Sequence, residues 1–299
     1  MAENQTRCGF VTLLGAPNAG KSTLVNKMVG AKVSIVSPKV QTTRSRVRGI
    51  AVKGDCELVL VDTPGIFKPK RRLDRAMVAA AWSEAEYADA RLLIVDAKRG
   101  LNDETSAIVD SLVKSKMKSV LVLNKIDLVK PEKLLNLSAK LNETQIFSST
   151  FMVSAENGDG VSDLFDYLAG KMPEGPFMFP PDDISDLPNR LLAAEITREK
   201  LILNLRDELP YHLTVETELW KEEKGGVKIH QTIYVDRVNQ RQIILGRQGS
   251  MIKQIGTQAR VELEDLFGCR VHLFLFVKVR ENWGDDPARY REWGLDFNA

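Results

Sequence analysis

Residues that form disulfides or bind metal ions are scarce in this chain. Its 299 residues include three cysteines and three histidines. Cys8, Cys56 and Cys269 are odd in number and show no C-x-x-C spacing, and the histidines are scattered, so neither a disulfide framework nor a zinc site is predicted. We interpret these six residues as structural or incidental, since a free cysteine is commonly buried without a partner.

Long hydrophobic runs and a strong net charge are missing too. No run approaches the roughly eighteen apolar residues that span a bilayer. Residues 1–7 lack the apolar core of a secretory signal, and we therefore expect a cytoplasmic protein. The net charge of +2 is too small to indicate nucleic-acid binding, which would have to come from local clusters. The length of the chain allows two ordinary domains.

The most specific motif occupies residues 15–22, G-A-P-N-A-G-K-S, which matches G-x-x-x-x-G-K-[ST]. Such a loop wraps its backbone N–H groups around nucleotide phosphates. An apolar run at 10–14 predicts a strand entering the loop, and residues 22–29 predict the helix leaving it, with its positive dipole end facing the phosphates. The residues of this loop expected to bind nucleotide are Gly15, Pro17, Asn18, Ala19, Gly20, Lys21, Ser22 and Thr23.

Short apolar runs alternate with helical patterns up to about residue 172. The runs at 58–61, 92–95 and 120–123 predict βα units around a mainly parallel sheet, an α/β fold. Ligands of such sheets bind outside the carboxyl ends of the strands. We therefore expect the polar residues that follow the runs to converge there, namely Gly15, Asp62, Asp96 and Asn124.

The motifs predict how a triphosphate and its metal ion are held. Lys21 is expected to reach the β- and γ-phosphates, and the Ser22 hydroxyl to bind Mg²⁺. In D-T-P-G, Asp62 would hold the metal through its shell, and Gly65 lets a backbone N–H approach the γ-phosphate. The predicted nucleotide-binding residues of this turn are Asp62, Thr63, Pro64 and Gly65.

Two later motifs indicate guanine as the base. The Asp127 carboxylate of N-K-I-D can accept two hydrogen bonds from the N1–H and amino groups of guanine, which adenine cannot provide. S-A-E at 154–156 would add a backbone N–H to the guanine O6. The predicted residues on the base side are Asn124, Lys125, Asp127, Ser154, Ala155 and Glu156.

These four motifs resemble, in order, the first, third, fourth and fifth motifs of the translation-factor-related GTPases. The resemblance makes Q-T-T-R at 41–44 the second motif, in which a threonine hydroxyl closes on Mg²⁺ when the γ-phosphate is present. Either Thr42 or Thr43 could bind the metal. The residues expected to act in hydrolysis are Lys21, Thr42, Thr43 and Gly65.

Ile66 follows the D-x-x-G glycine, where Ras-like proteins carry a glutamine that orients the attacking water. An aliphatic side chain cannot do this, so slow intrinsic hydrolysis, suited to a regulatory switch, is expected. Asn18 in P-N-x-G-K-S resembles GTPases that bind K⁺ beside the phosphates. In the alternative interpretation, Asn18 only stabilises the loop by hydrogen bonds to the backbone.

A linker and a second domain follow. Residues 172–188 contain five of the twelve prolines and four acidic residues. We place a GTPase domain at 1–172, the linker at 173–188, and a small α+β domain with a tail at 189–299. The expected order is α-β-β-turn-α-β: a helix at 190–205, a hairpin of 212–220 and 227–235, a short apolar piece at 243–245, a helix at 250–266 and a strand at 271–279.

The turn at 246–249, G-R-Q-G, has the G-x-x-G form of a KH module, here expected to be type II. Such a turn clamps the backbone of about four single-stranded nucleotides. Between residues 237 and 280 there are eight lysines and arginines and three acidic residues, an excess of five that suits phosphate contacts. The predicted RNA-binding residues are Gly246, Arg247, Gln248, Gly249, Lys253 and Arg260.

A GTPase domain joined by a proline-rich linker to a KH-type domain resembles the Era family of bacterial ribosome-assembly GTPases over essentially the whole chain. Residues 41–44, 62–66 and 255–260 (I-G-x-x-A-R) look like that family's pattern. The resemblance implies binding near the 3′ end of 16S ribosomal RNA during 30S maturation, some peripheral contact with the inner membrane, and a monomer.

Two alternatives remain open at this point. One is a membrane-surface switch, and the other is an accessory GTPase of an RNA-modifying system, although the second half shows no nucleophilic cysteine or metal constellation. The basic residues Arg44, Arg46 and Arg48 and the stretch 68–72 could touch RNA or lipid, or could be a solvated switch loop.

The base assignment predicts the behaviour of Asp127→Asn. The new amide donates a hydrogen bond, which suits the carbonyl of xanthine and not the amino group of guanine. Competition binding should therefore show a shift in preference from guanosine to xanthosine nucleotides. An unchanged preference for GTP would contradict the assignment.

Overall fold

The strongly apolar runs of the first half of the chain form the strands of one sheet. The computed structural model describes residues 6–40, 42–180 and 182–299, so Gln41 of the second motif lies outside the described residues. The strands are Arg7–Leu14 (β1), Val47–Lys53 (β2), Cys56–Asp62 (β3), Ala90–Asp96 (β4), Ser119–Asn124 (β5) and Phe147–Val153 (β6). Their order is β2-β3-β1-β4-β5-β6.

This sheet is parallel except for β2, which pairs antiparallel with β3. Apolar cores fill both of its faces, which is why β3 and β5 are buried along their whole length and read as continuous apolar runs. The helices of this part of the chain are Lys21–Val29 (α1), Arg72–Tyr87 (α2), Asp103–Lys114 (α3), Pro131–Asn142 (α4) and Val161–Ala169 (α5). The predicted α/β fold with a mainly parallel sheet is confirmed.

The proline-rich segment after α5 is held against this sheet by a buried carboxylate. Glu57 of β3 accepts hydrogen bonds from the backbone N–H groups of Met178 (2.8 Å) and Phe179 (3.3 Å), and from the Cys8 thiol (2.9 Å). Burial, together with Glu57, raises the pKa of this thiol to about 12. Further along, the Ile50 N–H of β2 donates to the Ile184 carbonyl (2.9 Å). The segment is thus an extension of the first unit.

The chain divides into one unit of Met1–Asp186 with Tyr290–Ala299 and a second of Leu187–Arg289. These limits differ from the ones expected from the sequence, which gave the linker to neither domain and the carboxyl-terminal tail to the second. The tail groups with the first unit, where the Arg72 guanidinium lies 4.3 Å from the centroid of the Phe297 ring. Composition marks where a chain changes character, but not where a tail packs.

The second unit is built on a three-stranded sheet in the order β7-β8-β9. Strand β8 (Gly226–Val235) pairs antiparallel with β7 (Leu213–Glu223) and parallel with β9 (Arg270–Val279). The helices are Asn189–Asn204 (α6), Val238–Leu245 (α7), Ser250–Phe267 (α8) and, at the limit of the unit, Pro287–Glu292 (α9). The order α-β-β-α-α-β contains the expected elements and one additional helix, α7.

One expected element of this unit was wrong. The apolar piece at 243–245 is the last turn of helix α7, which the sequence analysis missed. Only Ile244 of this helix is buried, while Val238 and Ile243 are exposed, so the sequence carries no amphipathic period. In the described part of the chain, no helix has the length and apolar character to cross a bilayer.

Candidate functional site

Two glycines fix the path of the loop between β1 and α1. Gly15 has φ +153°, and a Cβ there would lie 2.4 Å from the Ile94 carbonyl oxygen. Gly20 has φ +96°, and its Cβ would lie 2.2 Å from Asn124 Nδ2. The loop therefore packs so closely on the ends of β4 and β5 that neither position can carry a side chain.

Lys21, at the first position of α1, is buried and makes two hydrogen bonds. Its Nζ donates to the carbonyl oxygens of Gly15 (3.2 Å) and Ala16 (3.1 Å). Burial lowers the pKa of Lys21 to about 8, although the Asp62 carboxylate works in the opposite direction. Neutral carbonyls compensate an ammonium group only partly, so an anion such as a phosphate would stabilise its charged form.

Asp62 at the end of β3 collects hydroxyl groups from three separate segments. Its Oδ2 accepts hydrogen bonds from Ser22 Oγ (2.6 Å), Ser34 Oγ (2.6 Å) and Thr43 Oγ1 (3.4 Å). Its Oδ1 is buried and has no hydrogen-bond partner among the described residues. Burial raises the pKa of the carboxyl group even though the hydroxyls lower it.

This oxygen-rich cluster fits a magnesium ion. Mg²⁺ prefers carboxylate and hydroxyl oxygens, and a buried carboxylate oxygen without a partner is what a cation would satisfy. Ser22 Oγ and Thr43 Oγ1 are 3.0 Å apart beside this carboxylate. Ser22, Thr43 and Asp62 are therefore the residues that would hold the ion, which would neutralise phosphate charge when bound.

The two candidate threonines of the second motif have different surroundings. Thr42 Oγ1 donates to the Lys39 carbonyl (2.8 Å) and lies 2.6 Å from Ser37 Oγ. Thr43 is buried and belongs to the Asp62 cluster. The structure thus brings Thr43, and not Thr42, to the position where a metal ligand is needed.

Ser34 is a member of this cluster that the sequence analysis missed. It is fixed by Asn26 of α1, whose Nδ2 donates to the Ser34 carbonyl (2.7 Å) and whose Oδ1 accepts from the Ser34 N–H (2.9 Å). Its Oγ then points to Asp62. In the sequence Ser34 lies in A-K-V-S-I-V-S at 31–37, and nothing there distinguishes it from Ser37.

On the base side, Asn124 and Lys125 join neighbouring loops. Asn124 donates to the Ala19 carbonyl (2.9 Å) and accepts from the Ala155 N–H (3.0 Å). Lys125 Nζ donates to the Asn18 carbonyl (2.7 Å) and to Asp96 Oδ2 (2.7 Å). The predicted convergence at the strand ends is confirmed, with side chains that support the loops.

The remaining residues of these motifs also lie at this edge. Asp127, in the turn Ile126–Leu128, and Glu156 are exposed, while Ser154 is buried and its Oγ accepts the Asn157 N–H (3.3 Å). The Asp127 carboxylate is exposed and therefore accessible to a base.

The D-x-x-G turn packs directly on the phosphate loop. Thr63 Oγ1 donates to the Leu13 carbonyl (2.6 Å), and the N–H of the buried Ile66 donates to the Gly15 carbonyl (3.0 Å). Gly65 lies so close that an added Cβ would be 2.9 Å from Pro17 Cα. Pro64 is buried as well, and Thr23 is half-buried in the first turn of α1.

A cavity of about 280 Å³ opens between the loop and the second motif. Its walls include Lys21, Ser22, Thr43 and Lys125. Asn18 also lines it, with φ +63° and its side-chain amide donating to the Pro38 carbonyl (2.7 Å). The Asn18 side chain therefore connects the phosphate loop to the segment before Thr42.

In the second unit, the G-x-x-G turn joins α7 to α8. Gly246 has no room for a side chain, because its Cβ would lie 2.7 Å from Met251 Cβ. Gly249 has φ +76° and open space around it, its nearest neighbour being 4.0 Å away. Arg247, Gln248 and Lys253 are exposed at or just after the turn. A backbone could therefore approach Gly249 closely.

Several predicted basic contacts are engaged elsewhere. Arg260 lies about 15 Å along α8 from the turn and pairs with Glu264 (2.7 Å). Arg44 is buried, Arg46 pairs with Glu84 (2.5 Å), and Arg48 pairs with Asp186 (3.2 Å). Arg46 nevertheless remains exposed, as do Lys68 and Lys70.

The fold and the site together define a GTPase with a KH domain. The family model described as 50S ribosome-binding GTPase matches residues 10–125, and the KH domain model matches residues 208–284. The chain is 60% identical to GTPase Era of Brucella suis biovar 1 (strain 1330) over 294 residues, which cover 98% of this chain and 94% of that protein. It is 61% identical to GTPase Era of Afipia carboxidovorans over 293 residues, covering 98% and 95%.

Two solved structures resemble it along almost their whole length. A point variant of Aquifex aeolicus Era bound to GDP·AlF4⁻ superposes with a TM-score of 0.91 at 37% identity, covering 97% of this chain and 99% of that one. Era in complex with MgGDPNP and nucleotides 1506–1542 of 16S ribosomal RNA gives 0.91 at 38% identity, with the same coverage. The chain belongs to the Era family and is a GTPase.

The environment of Asp62 predicts that its carboxylate lowers the stability of the nucleotide-free protein and is needed for Mg²⁺-dependent nucleotide binding. Burial raises the pKa of Asp62 above the ordinary 3.8, so the folded state keeps the proton to a higher pH than the unfolded state. The contribution of Asp62 to stability therefore falls as pH rises from the unfolded-state pKa to the folded-state pKa, and it stays unfavourable above the folded-state pKa. At neutral pH, Asp62→Asn should therefore stabilise the nucleotide-free protein by about 0.5–2 kcal/mol, while Mg²⁺ no longer strengthens nucleotide binding.

Urea unfolding and nucleotide titration with and without Mg²⁺ measure both effects. Asp96→Asn is the matched control. It also removes a carboxylate from a strand end of the same sheet, that of β4, but it breaks the pair with Lys125. This control should lower the free energy of unfolding. A loss of stability in Asp62→Asn would show that the carboxylate supports the fold.

Proposed function

We propose that this GTPase is a molecular switch that binds 16S ribosomal RNA near its 3′ end and acts in 30S subunit maturation. The observation that carries the proposal is the Asp62 cluster in one unit and the open G-x-x-G turn in the other. The relative solved with MgGDPNP and nucleotides 1506–1542 of 16S RNA, superposing at a TM-score of 0.91, supports the ligand assignment.

Within the nucleotide site, each residue has a distinct task. Lys21 binds the β- and γ-phosphates, while Ser22, Thr43 and Asp62 hold Mg²⁺. The Gly65 N–H meets the γ-phosphate. Asn124 keeps the phosphate loop and the 154–156 loop in register, and so leaves recognition of guanine to the Asp127 carboxylate and the Ala155 N–H.

We attribute slow hydrolysis to Ile66, the residue directly after the D-x-x-G turn. Ile66 is buried and aliphatic, and so cannot orient a water molecule. Thr43 would act as the sensor of the nucleotide state, because its hydroxyl lies in the Asp62 cluster, where it would bind the metal ion when the γ-phosphate is present. The GTP-bound state would therefore be long-lived, as a timer for RNA binding requires.

We also propose that a potassium ion assists hydrolysis beside Asn18, whose side chain lines the phosphate cavity. A monovalent cation there would offset charge that develops on the phosphates. GTP hydrolysis should be at least several-fold faster in KCl than in NaCl of equal ionic strength, and Asn18→Ala should remove the difference. Equal rates in the two salts would contradict this use of Asn18, and would favour its role as a link to Pro38.

The membrane-surface alternative has less support. Arg46 and Arg48, two of the basic residues that it would use, form ion pairs within the first unit, which leaves Lys68 and Lys70 for a peripheral contact. We propose a cytoplasmic monomer whose membrane contact, where it occurs, is peripheral.

Coupling between the two ligands predicts that RNA affinity depends on the nucleotide. A 16S 3′-end oligonucleotide should bind more tightly with a non-hydrolysable GTP analogue than with GDP, because the nucleotide states bias the arrangement that grips RNA. Identical affinities in filter binding, repeated across salt concentrations, would contradict the switch.

Gly249→Asp tests the RNA clamp in the same assay. A negative side chain at the open position where a phosphate must approach should lower RNA affinity by at least about ten-fold, while GTP hydrolysis stays intact. Gly54→Asp is the matched control, since Gly54 also has a positive φ (+59°) and open space but lies in the first unit. Equal RNA affinity in the two variants would refute the clamp.

A further inference from the structure

The sheet of the second unit has one face covered by helices. The other face, here called the open face, is covered at Tyr234 by Arg289, which lies 4.8 Å from that ring, and is exposed at the end that carries Phe274 and Phe276. Leu275 of β9 points to the helices, since its Cδ1 lies 3.4 Å from where a Cβ on Gly256 of α8 would be. Side chains alternate along a strand, so Phe274 and Phe276 point to the opposite face. They are 46% and 48% exposed. Two neighbouring phenylalanines that remain about half exposed form an apolar patch of the kind at which proteins meet partners.

A third ring completes an aromatic platform on this open face. His230 of β8 is in register with Phe274. Its ring centroid lies 5.0 Å from that of Phe274 and 5.9 Å from that of Phe276. Leu219 of β7, in register with His230, extends the platform and is 38% exposed. Because strands hold the rings, their spacing is set before any ligand arrives.

Cationic side chains border one end of this platform. Lys228 Nζ lies 5.5 Å from the centroid of the Phe274 ring and makes no ion pair with another described residue. His272 is in register with Lys228, and Arg270 is exposed at the same end of β9.

Three acidic residues of the same sheet, Glu216, Glu218 and Glu223, pair with cations, and Glu222 is exposed; Glu223 pairs with Lys221 at 3.8 Å. Glu216 pairs with Arg289, and Glu218 pairs with Lys278 at 3.1 Å. The end of the open face that carries the rings therefore keeps a positive character and complements an anionic ligand.

We propose that this open face is a second RNA-binding surface, separate from the G-x-x-G turn. Unpaired bases of single-stranded RNA would stack on Phe274, Phe276 and His230, and the phosphates between them would meet Lys228 and Arg270. Exposed rings on a sheet, bordered by cations, are how proteins bind single strands with little sequence preference. A protein partner would be better matched by an apolar patch with an uncharged centre.

The proposal shares its ligand class with the proposed function, but it uses the opposite face of the sheet from α8, which carries the turn. An RNA long enough to engage both sites would gain affinity from this face, and a short RNA would not. RNA length therefore separates the two surfaces in one assay.

The test compares Phe274→Ala/Phe276→Ala with Tyr87→Ala in the full-length protein. Tyr87 is an 84% exposed aromatic residue of the first unit and serves as the matched control. Affinity for an unstructured RNA of about twenty nucleotides should fall at least about ten-fold in the double variant. Affinity for an RNA of about six nucleotides, enough for the G-x-x-G turn alone, should not change. The control should match the parent with both RNAs, and GTP hydrolysis should be unaltered in both proteins.

Two further measurements report the contacts themselves. With Phe276→Trp, the added indole fluorescence should be quenched by the longer RNA, because a stacked base quenches it. With Lys228→Ala, the slope of log affinity against log salt should shrink by about 0.7, the value for one phosphate contact to a single strand. Lys140→Ala, which changes an exposed lysine of α4, should leave the slope unchanged.

Three results would overturn the proposal. The first is an unchanged affinity of the double variant for the longer RNA. The second is an equal loss with both RNAs, which would mean that the substitutions act through the G-x-x-G turn or the fold. The third is loss of self-association in sedimentation with unchanged RNA affinity, which would assign the face to a second copy of the chain.

The same measurements separate this inference from the proposed function. If Gly249→Asp abolishes RNA binding while the double variant does not, only this inference fails. If neither variant affects RNA binding, the proposed function fails too.

Discussion

The GTPase site depends on the burial of one carboxylate, that of Asp62. Among the described residues, no cationic side chain lies within hydrogen-bond distance of it. Hydroxyls from the phosphate loop (Ser22), from the segment after α1 (Ser34) and from the second motif (Thr43) donate to it or approach it. All three contact the same oxygen, Oδ2, and so bring the three segments together at this carboxylate. The cluster stays incomplete because Oδ1 has no partner among the described residues. A bound cation would interact with this unpartnered oxygen, which is why the site favours a cation.

Lys21 shows the same principle with the opposite charge. Its ammonium group is buried against neutral carbonyls, and its pKa falls to about 8. Asp62 and Lys21 thus each lose hydration on burial, and hydrogen bonds within the protein compensate only part of that free-energy cost. The Mg²⁺ and phosphates that the proposed function brings to this site would offset both deficits together. This gives a physical reason for nucleotide and metal to bind cooperatively.

Much of this was predictable because the chemistry of the motifs is local. The phosphate loop, the D-x-x-G turn and the N-K-x-D segment each need a few residue types at fixed spacing, directly after apolar strands, and the sequence displays both. The choice of Thr43 over Thr42 was not predictable, since adjacent threonines look alike until the backbone orients one of them towards Asp62. Ser34 was missed for the same reason: its role comes from Asn26, which is close in space. Helix α7 was missed because it buries only Ile244, and the return of the tail to the first unit depends on a ring contact at Phe297 that no local pattern records.

The two predicted phosphate-binding sites use one backbone device in two ways. Helix α1 follows Gly20 and helix α8 follows Gly249, both in the left-handed conformation and neither providing a side-chain cap. The first N–H groups of both helices are therefore left for an anion. At Gly20 an added Cβ would lie 2.2 Å from Asn124, whereas at Gly249 the nearest atom is 4.0 Å away. The first glycine is thus enclosed by its own protein, as suits a site that grips one small ligand, and the second is open, as suits a polymer that passes over it. Because Gly249 faces no steric demand from the fold, its lack of a side chain follows from its backbone angle and from the ligand that it admits.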